Sequence, residues 1–368
     1  MKAKFFLVFF SILLSLGMAE GFLRIQDIYV EKRYGPMTDE DLLWTYNALL
    51  GWKHRPHETA YFCNPVERFK TLCKTNSHGL RDDEYTYSKP QGVLRILLLG
   101  DSATVGLEVE KEKVIDSVLE KLIHPQRACE VLNAGVRGYG TDQSYLFLTH
   151  EGIRYDPDIV IYVFVENDPE DNITIHRLAR KYGKPYFVLE NSRLLLKGVP
   201  VPRSFPEDRW LLSSKASEDF YNRAIFPETP PLHVPIWSHS LLYRKVVSMS
   251  ESKRSERIPP EPARVREDEW KITETLLEAM KKFCDQKRIH FVVFRFTQGR
   301  DRPLFKETRL KKLTERRGIE LIENRDIFFK EGRGTRKLVF RTDPHWNAQG
   351  HALGAKILFH FLQEKNWL

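Results

Sequence analysis

The stretch RILLLGDSATVGLEV, residues 95–109, decides how this chain is read. A run of aliphatic residues stops at Gly100-Asp101-Ser102, and a second glycine, Gly106, comes almost at once. A short, nearly continuous apolar run ending in turn residues fits a strand buried on both faces, as the strands of a parallel sheet are. Residues 100–106 fit a strand-to-helix turn, in which a serine either caps the helix or is held as a nucleophile.

Working outward, the same pattern recurs. CEVLNAG (129–135), DIVIYVFV (158–165), HFVVFRF (290–296) and residues 319–322 read as further buried strands. Between and after them, helical spacing predicts helices over 111–123, 142–154, 267–285, 302–317 and 347–364. Strand–helix alternation of this kind implies a doubly wound α/β domain with a parallel five-stranded sheet, its site where the strand C-termini meet the loops. The domain is expected over 91–368. Residues 20–90 lack sustained periodicity and read as an irregular N-terminal extension. Residues 173–265, rich in proline and aromatics, read as an inserted cap-like segment.

The chain has 368 residues, 42% of them hydrophobic, and a formal charge of +8. That composition describes a folded protein long enough for one large core. The positive charge is interspersed with 50 acidic residues. No basic stretch is interleaved with aromatics as in a nucleic-acid groove, so nucleic acid is not an expected partner. The densest basic run, 306–318, reads as the solvated face of a helix. At the N-terminus, Lys2 and Lys4 precede the apolar run FFLVFFSILLSLGMA (5–19), which suits a signal peptide over 1–19 with Gly17 and Ala19 as its small-x-small cleavage site. Continued toward Leu23, the same segment would be an uncleaved membrane anchor. Either way the body of the protein is expected to be exported, periplasmic or secreted. In that setting Cys63 and Cys73 are expected to form a disulfide, worth about 3 kcal/mol in the chain-entropy model. Cys129 and Cys284 read as core thiols.

Four segments that could carry chemistry fall at the strand ends or before the last helix: GDS (100–102), NAGVRGYGTDQ (133–143), ENDPEDN (166–172) and DPHWNAQGH (343–351). Singly, each has a structural explanation: a cap, a tight turn, a turn former, a surface histidine. Together they supply what acyl transfer needs: a hydroxyl nucleophile, a base, an acid that orients the base, and oxyanion donors. Ser102 would be the nucleophile and His345 the base. Asp343, two residues earlier, would project to the same side of an extended segment as His345. The backbone N–H groups of Ser102 and Gly138 and the side-chain amide of Asn167 would form the oxyanion hole.

Through these four blocks the sequence resembles the SGNH (GDSL-type) hydrolases, in particular exported bacterial members. The family's serine, glycine, asparagine and histidine blocks correspond here to GDSATVG, NAGVRGYG, VEND and DPHWNAQGH, and NSHGLRDDE (76–84) resembles the lead-in of exported members. The resemblance covers about 91–172 and 288–362. It implies a flavodoxin-like three-layer α/β/α fold and a cofactor-free serine esterase mechanism through an acyl-enzyme. The sequence departs from the pattern in three places. Ala103 and Thr104 come after the serine instead of leucine. Val165 and Glu166 precede Asn167 where a glycine is usual, so Glu166 is expected to point away from the oxyanion hole. The acid and base are spaced Asp-x-His instead of Asp-x-x-His. His351 reads as a packing residue, and a metal reading of Asp343, His345 and His351 fails for want of a third strong ligand at suitable spacing. Asn172-Ile173-Thr174 forms a glycosylation sequon.

The resulting expectation is an exported esterase or deacylase acting on a small-molecule or glycan acyl ester, O-acetyl included, with membrane association through the N-terminus. The same residues would serve an O-acyltransferase acting on a cell-envelope glycan. A carbohydrate-binding protein on a degenerate hydrolase fold is the alternative from another class. Trp210 and Trp237, in the insertion, are candidates for sugar stacking or for core packing.

Overall fold

Gly100 shows why the chain turns where it does. Its φ is +152°, and a side chain there would collide with the Thr104 hydroxyl of the next turn, so only glycine lets the strand hand over this sharply. The computed structural model describes residues 2–34, 43–64, 67–175, 182–191, 193–203, 242, 267–297, 305–332, 337–341 and 343–368.

In chain order, helix α1 (Lys2–Tyr34) precedes two antiparallel hairpins, β1 (Trp44–Asn47) with β2 (Gly51–His54) and β3 (Thr59–Asn64) with β4 (Phe69–Lys74). Next come β5 (Leu94–Gly100), α2 (Ser102–Val105), α3 (Ile115–Ile123), β6 (Cys129–Gly135), α4 (Thr141–His150), β7 (Ile159–Phe164) and α5 (Asp168–Asp171). A third hairpin pairs β8 (Tyr186–Glu190) with β9 (Arg193–Lys197). The chain continues through α6 (Glu267–Gln286), β10 (His290–Arg295), α7 (Phe305–Arg317), β11 (Glu320–Ile322), α8 (Arg325–Gly332) and α9 (Ala348–Glu364).

Five strands form one parallel sheet in the order β6-β5-β7-β10-β11. Numbered by appearance in the sheet, that order is 2-1-3-4-5, the flavodoxin-like arrangement of doubly wound folds. Both faces are covered, and the period-2 pleat divides the side chains cleanly. Ile96 and Leu98 of β5 and Ile161 and Val163 of β7 pack with Ile115 and Leu119 of α3 and Leu358 and Leu362 of α9. Leu97 and Leu99, with Val160 and Tyr162, pack on the other face with Leu146 of α4 and Trp270, Leu276 and Met280 of α6. Sheet order then fixes the location of the site. The reversal of direction lies between β5 and β7, and the crevice beyond their C-termini is where such folds place a ligand.

The N-terminal extension is more regular than its sequence suggests. Leu43, Trp44, Leu50 and Trp52 belong to the same core as the sheet. Trp52 Nε1 donates to the Arg137 carbonyl at 3.1 Å, and the Gln143 amide donates to the Leu50 carbonyl at 2.7 Å. The expected disulfide does not form: Cys63 and Cys73 are not bonded to each other. The hairpin register sets Cys73 opposite Ala60, three residues along β3 from Cys63. An odd offset puts the two side chains on opposite faces, beyond disulfide reach. Cys129 and Cys284 are buried, as expected of core thiols.

Helix α1 runs without a break through Gly17 and Ala19. Its apolar stretch, Phe6–Val30, is long and apolar enough to cross a membrane by length and composition. Its large side chains, Phe6, Phe9, Phe10 and Leu14 among them, are exposed. Of the insertion, the β8–β9 hairpin docks through Lys184, whose ammonium forms a fully buried ion pair with Asp142 of α4. Trp210 and Trp237 lie outside the described residues.

Candidate active site

Ser102 sits where sequence reasoning puts it, at the exit of β5, but the cap of the short helix is its neighbour. Asp101 Oδ1 accepts the Ala103 N–H at 2.9 Å, so Asp101 is the N-cap and Ser102 the first helical residue. The Ser102 backbone N–H therefore belongs to the first turn of α2, where intrahelical partners do not exist. The loop after α2 is clamped by the buried Arg81 of the lead-in, whose guanidinium reaches the carbonyls of Val105 (3.0 Å), Gly106 (2.5 Å) and Val109 (2.7 Å).

Gly138 lies after β6 with φ of +84°, a conformation that favours glycine. Asn167 lies between β7 and α5; its amide donates to Asp171 Oδ2 at 2.6 Å. Glu166 turns away as expected, pairing with the buried Arg295 at the end of β10 at 3.2 Å. Beneath this rim Asp168 is buried, accepts the Val165 N–H at 2.9 Å and lies 2.7 Å from the Tyr162 hydroxyl. Burial, reinforced by the charge of Asp101, raises the Asp168 carboxyl well above the usual carboxylate range.

Asp343 and His345 sit on a tight loop before α9. An antiparallel bridge joins Val339 to Trp346, and the Phe340 N–H donates to the His345 carbonyl at 3.1 Å. Trp346 pins this loop to the sheet. It is buried, stacks on Phe296 (4.4 Å) and Phe328 (4.6 Å), and donates from Nε1 to the Thr297 carbonyl at 2.8 Å. Asn347 then caps α9 through the N–H groups of Gln349 and Gly350.

At the tip, Asp343 Oδ1 accepts the His345 N–H at 2.9 Å and is hydrogen-bonded to the imidazole Nδ1. On the same side of the ring, Glu108 Oε1 lies 3.5 Å from Nδ1 and accepts from Arg137 Nη1. Ionised carboxylates are acceptors only, so two of them beside Nδ1 require that nitrogen to carry the hydrogen. The neutral ring then has its lone pair on Nε2. Burial alone would push the imidazole down, but Glu108 and the Asp343 hydrogen bond outweigh it, and His345 titrates above its ordinary value. Glu108 and Asp343 are held below the usual carboxylate range despite burial, Glu108 by His345 and Arg137, Asp343 by its bond to His345.

The structure thus brings Asp343 and His345 into contact. Among the described residues, the Ser102 hydroxyl donates to Asp101 Oδ2 at 3.3 Å and not to His345. Serine–histidine hydrogen bonds of this kind are often absent until substrate binds. Sequence reasoning missed Glu108 and Arg137 altogether. The available signal was a lone carboxylate between Leu107 and Val109, both buried. His351 packs edge-on against Trp346 at 5.8 Å, and burial pushes its imidazole down to about 4. Asn172 of the sequon is buried, its amide shared between Thr141 and Thr273, which closes it to glycosylation. Among the described residues, the group that could hold a cation is Glu108, Asp343 and His345, whose ligand atoms lie within 4.8 Å of one another. Arg137 already supplies a positive charge to that cluster.

No protein-family model matches the sequence, and no curated protein matches it. Among solved structures the chain is similar to a lipase/acylhydrolase from Enterococcus faecalis, at 13% identity and TM-score 0.40, over 74% of this chain and 96% of that one. It is similar to an acetyl xylan esterase at 12% identity and TM-score 0.38, over 73% and 100%. A third similarity is to a psychrotrophic esterase from Pseudoalteromonas sp., at 12% identity and TM-score 0.39, over 74% and 99%.

Proposed function

We propose that this chain is a serine hydrolase of acyl esters, of the SGNH type, exported and tethered or delivered through its N-terminal helix. The observation that carries the reading is the His345–Asp343 pair, which fixes the imidazole through Nδ1 and leaves Nε2 free to act as a base. Supporting it, Ser102, Gly138 and Asn167 come after β5, β6 and β7 in turn, around the switch point of the sheet.

In this mechanism the Ser102 hydroxyl leaves Asp101 by rotation about χ1. It gives its proton to His345 Nε2 as its oxygen attacks the acyl carbon. The tetrahedral oxyanion is held by the N–H groups of Ser102 and Gly138 and by the Asn167 amide. Collapse of that intermediate expels the alcohol, which takes the proton from His345, and leaves Ser102 acylated. Water, deprotonated by the same imidazole, then releases the acid. Asp343 keeps the ring in the productive tautomer and stabilises the imidazolium. Acetylated glycans or small acyl esters outside the membrane are the substrate class we assign.

A fluorophosphonate probe should label wild-type protein at Ser102 and leave Ser102→Ala unlabelled. The same variant should lose hydrolysis of a short acyl ester by about 10⁴-fold or more. Full activity in folded Ser102→Ala would sink the reading.

A further inference from the structure

Glu108 has no part in the acyl-transfer steps, yet it is built into the site at evident cost. The residue is 2% exposed, and among the described residues its Oε2 is buried without a hydrogen-bond partner. Buried carboxylate oxygens are ordinarily satisfied, and one that is not calls for a reason beyond folding. Its backbone is pinned by Thr71 Oγ1 on its own carbonyl at 3.2 Å and, on either side, by Arg81 on the carbonyls of Gly106 and Val109. The side chain is therefore delivered to one place, between the Arg137 guanidinium and the His345 ring.

Arg137 adjoins Gly138 in sequence, and its guanidinium lies over the Phe62 ring at 5.1 Å, on the β3–β4 hairpin. That brings a permanent positive charge close to a histidine that must itself become positive during acyl transfer. With Asp343 alone, the negative and positive charges around the ring would cancel. With Glu108 added, the balance is one negative charge, the setting in which an imidazolium is stabilised.

We infer that Glu108 is a positioning residue for His345: it neutralises Arg137, holds the ring's Nδ1 side together with Asp343, and ties the Gly138 loop to the acid–base loop. This rests on the serine-hydrolase reading. The charged and titratable groups facing the ring are Asp343 on its own loop, Glu108 after α2, Arg137 after β6 and His351 on α9.

The test is the pH profile of kcat/KM for an uncharged ester, p-nitrophenyl acetate, using the full chain. Because His345 must be neutral to act, the acidic limb reports its pKa. Glu108→Gln should move that limb to lower pH and reduce kcat about tenfold, with KM within about twofold. Arg137→Gln should move it to higher pH. The double variant should return it toward wild type, a recovery that a merely structural role would not give. If Glu108→Gln fails to fold, Arg137→Gln and the double variant carry the same test. Limbs unmoved in all folded variants would overturn the inference, provided Ser102 is labelled in the wild type. If wild-type Ser102 is not labelled, the parent reading fails and takes this inference with it.

Discussion

Two sets of carboxylates border the ends of the sheet strands, and their surroundings shift their pKa values in opposite directions. Glu108 and Asp343 face Arg137 and His345, and both are held below the ordinary carboxylate range. Asp168 lies with Asp101 and Tyr162, and burial with a neighbouring like charge raises it far above that range. Glu108 is as buried as Asp168, so burial alone does not decide the outcome. The sign of the nearest partner does. The first set is a charged device that can answer a developing imidazolium. The second is a brace beneath the Ser102 turn, in which Asp168, its carboxyl holding a proton more tightly than usual, ties the end of β7 to α5 through the Val165 N–H.

Breaking the charged set should have the larger effect. Asp343→Asn leaves the shape of the loop but removes the acceptor that fixes the tautomer, and in such triads this costs about 10⁴-fold in kcat. Glu108 remains on the same side of the ring in that variant. If kcat falls by less than tenfold, Glu108 and not Asp343 is the principal acid, and the roles of the two carboxylates exchange. Next comes the rim between the two sets. Asn167→Ala should lower kcat by roughly 10²–10³-fold, the usual cost of one oxyanion donor. Asn167 also bonds Asp171 within α5. A purely structural role would therefore show as a lower melting temperature with kcat preserved, and measuring both separates the alternatives.

The parts of this arrangement that were legible in the sequence share a physical reason. Strands β5, β6, β7 and β10 are buried on both faces, so each appears as a nearly continuous apolar run; the expected bounds of β6, 129–135, are those observed. Ser102, Gly138 and Asn167 could be placed at strand ends because each comes after such a run, and His345 could be placed in a loop just ahead of the last helix. The hairpins of residues 44–74 were not legible. Their strands are four to six residues long with mixed burial, and they pair in isolated twos, so no alternation accumulates. The Cys63–Cys73 expectation failed with them, because closeness in sequence says nothing about hairpin register. Glu108 and Arg137 were hidden for a different reason. Their meaning lies in a contact between residues 29 positions apart, and each alone is an ordinary charged loop residue. Trp346, which sets the height of His345 above the sheet, stands beside it in the sequence and could have been read as its anchor.

The smallest effect is expected in the second set, where it tests whether the proton is there. Asparagine is close in shape to a protonated aspartic acid and can still accept from the Val165 N–H. At or below about pH 4, where the carboxyl is protonated folded or unfolded, Asp168→Asn should therefore change stability by no more than about 1 kcal/mol, and it should leave kcat near wild type. The pH dependence has a definite sign. The folded-state pKa of Asp168 is raised above its unfolded value, so the stability it contributes is complete below about pH 4 and is lost as pH rises toward the folded value. The variant has no such loss. Its melting temperature should gain on the wild type as pH is raised from about 4 to 8. A variant that instead loses ground over that range would mean that Asp168 is ionised in the folded protein. The contrast between the two sets would then collapse.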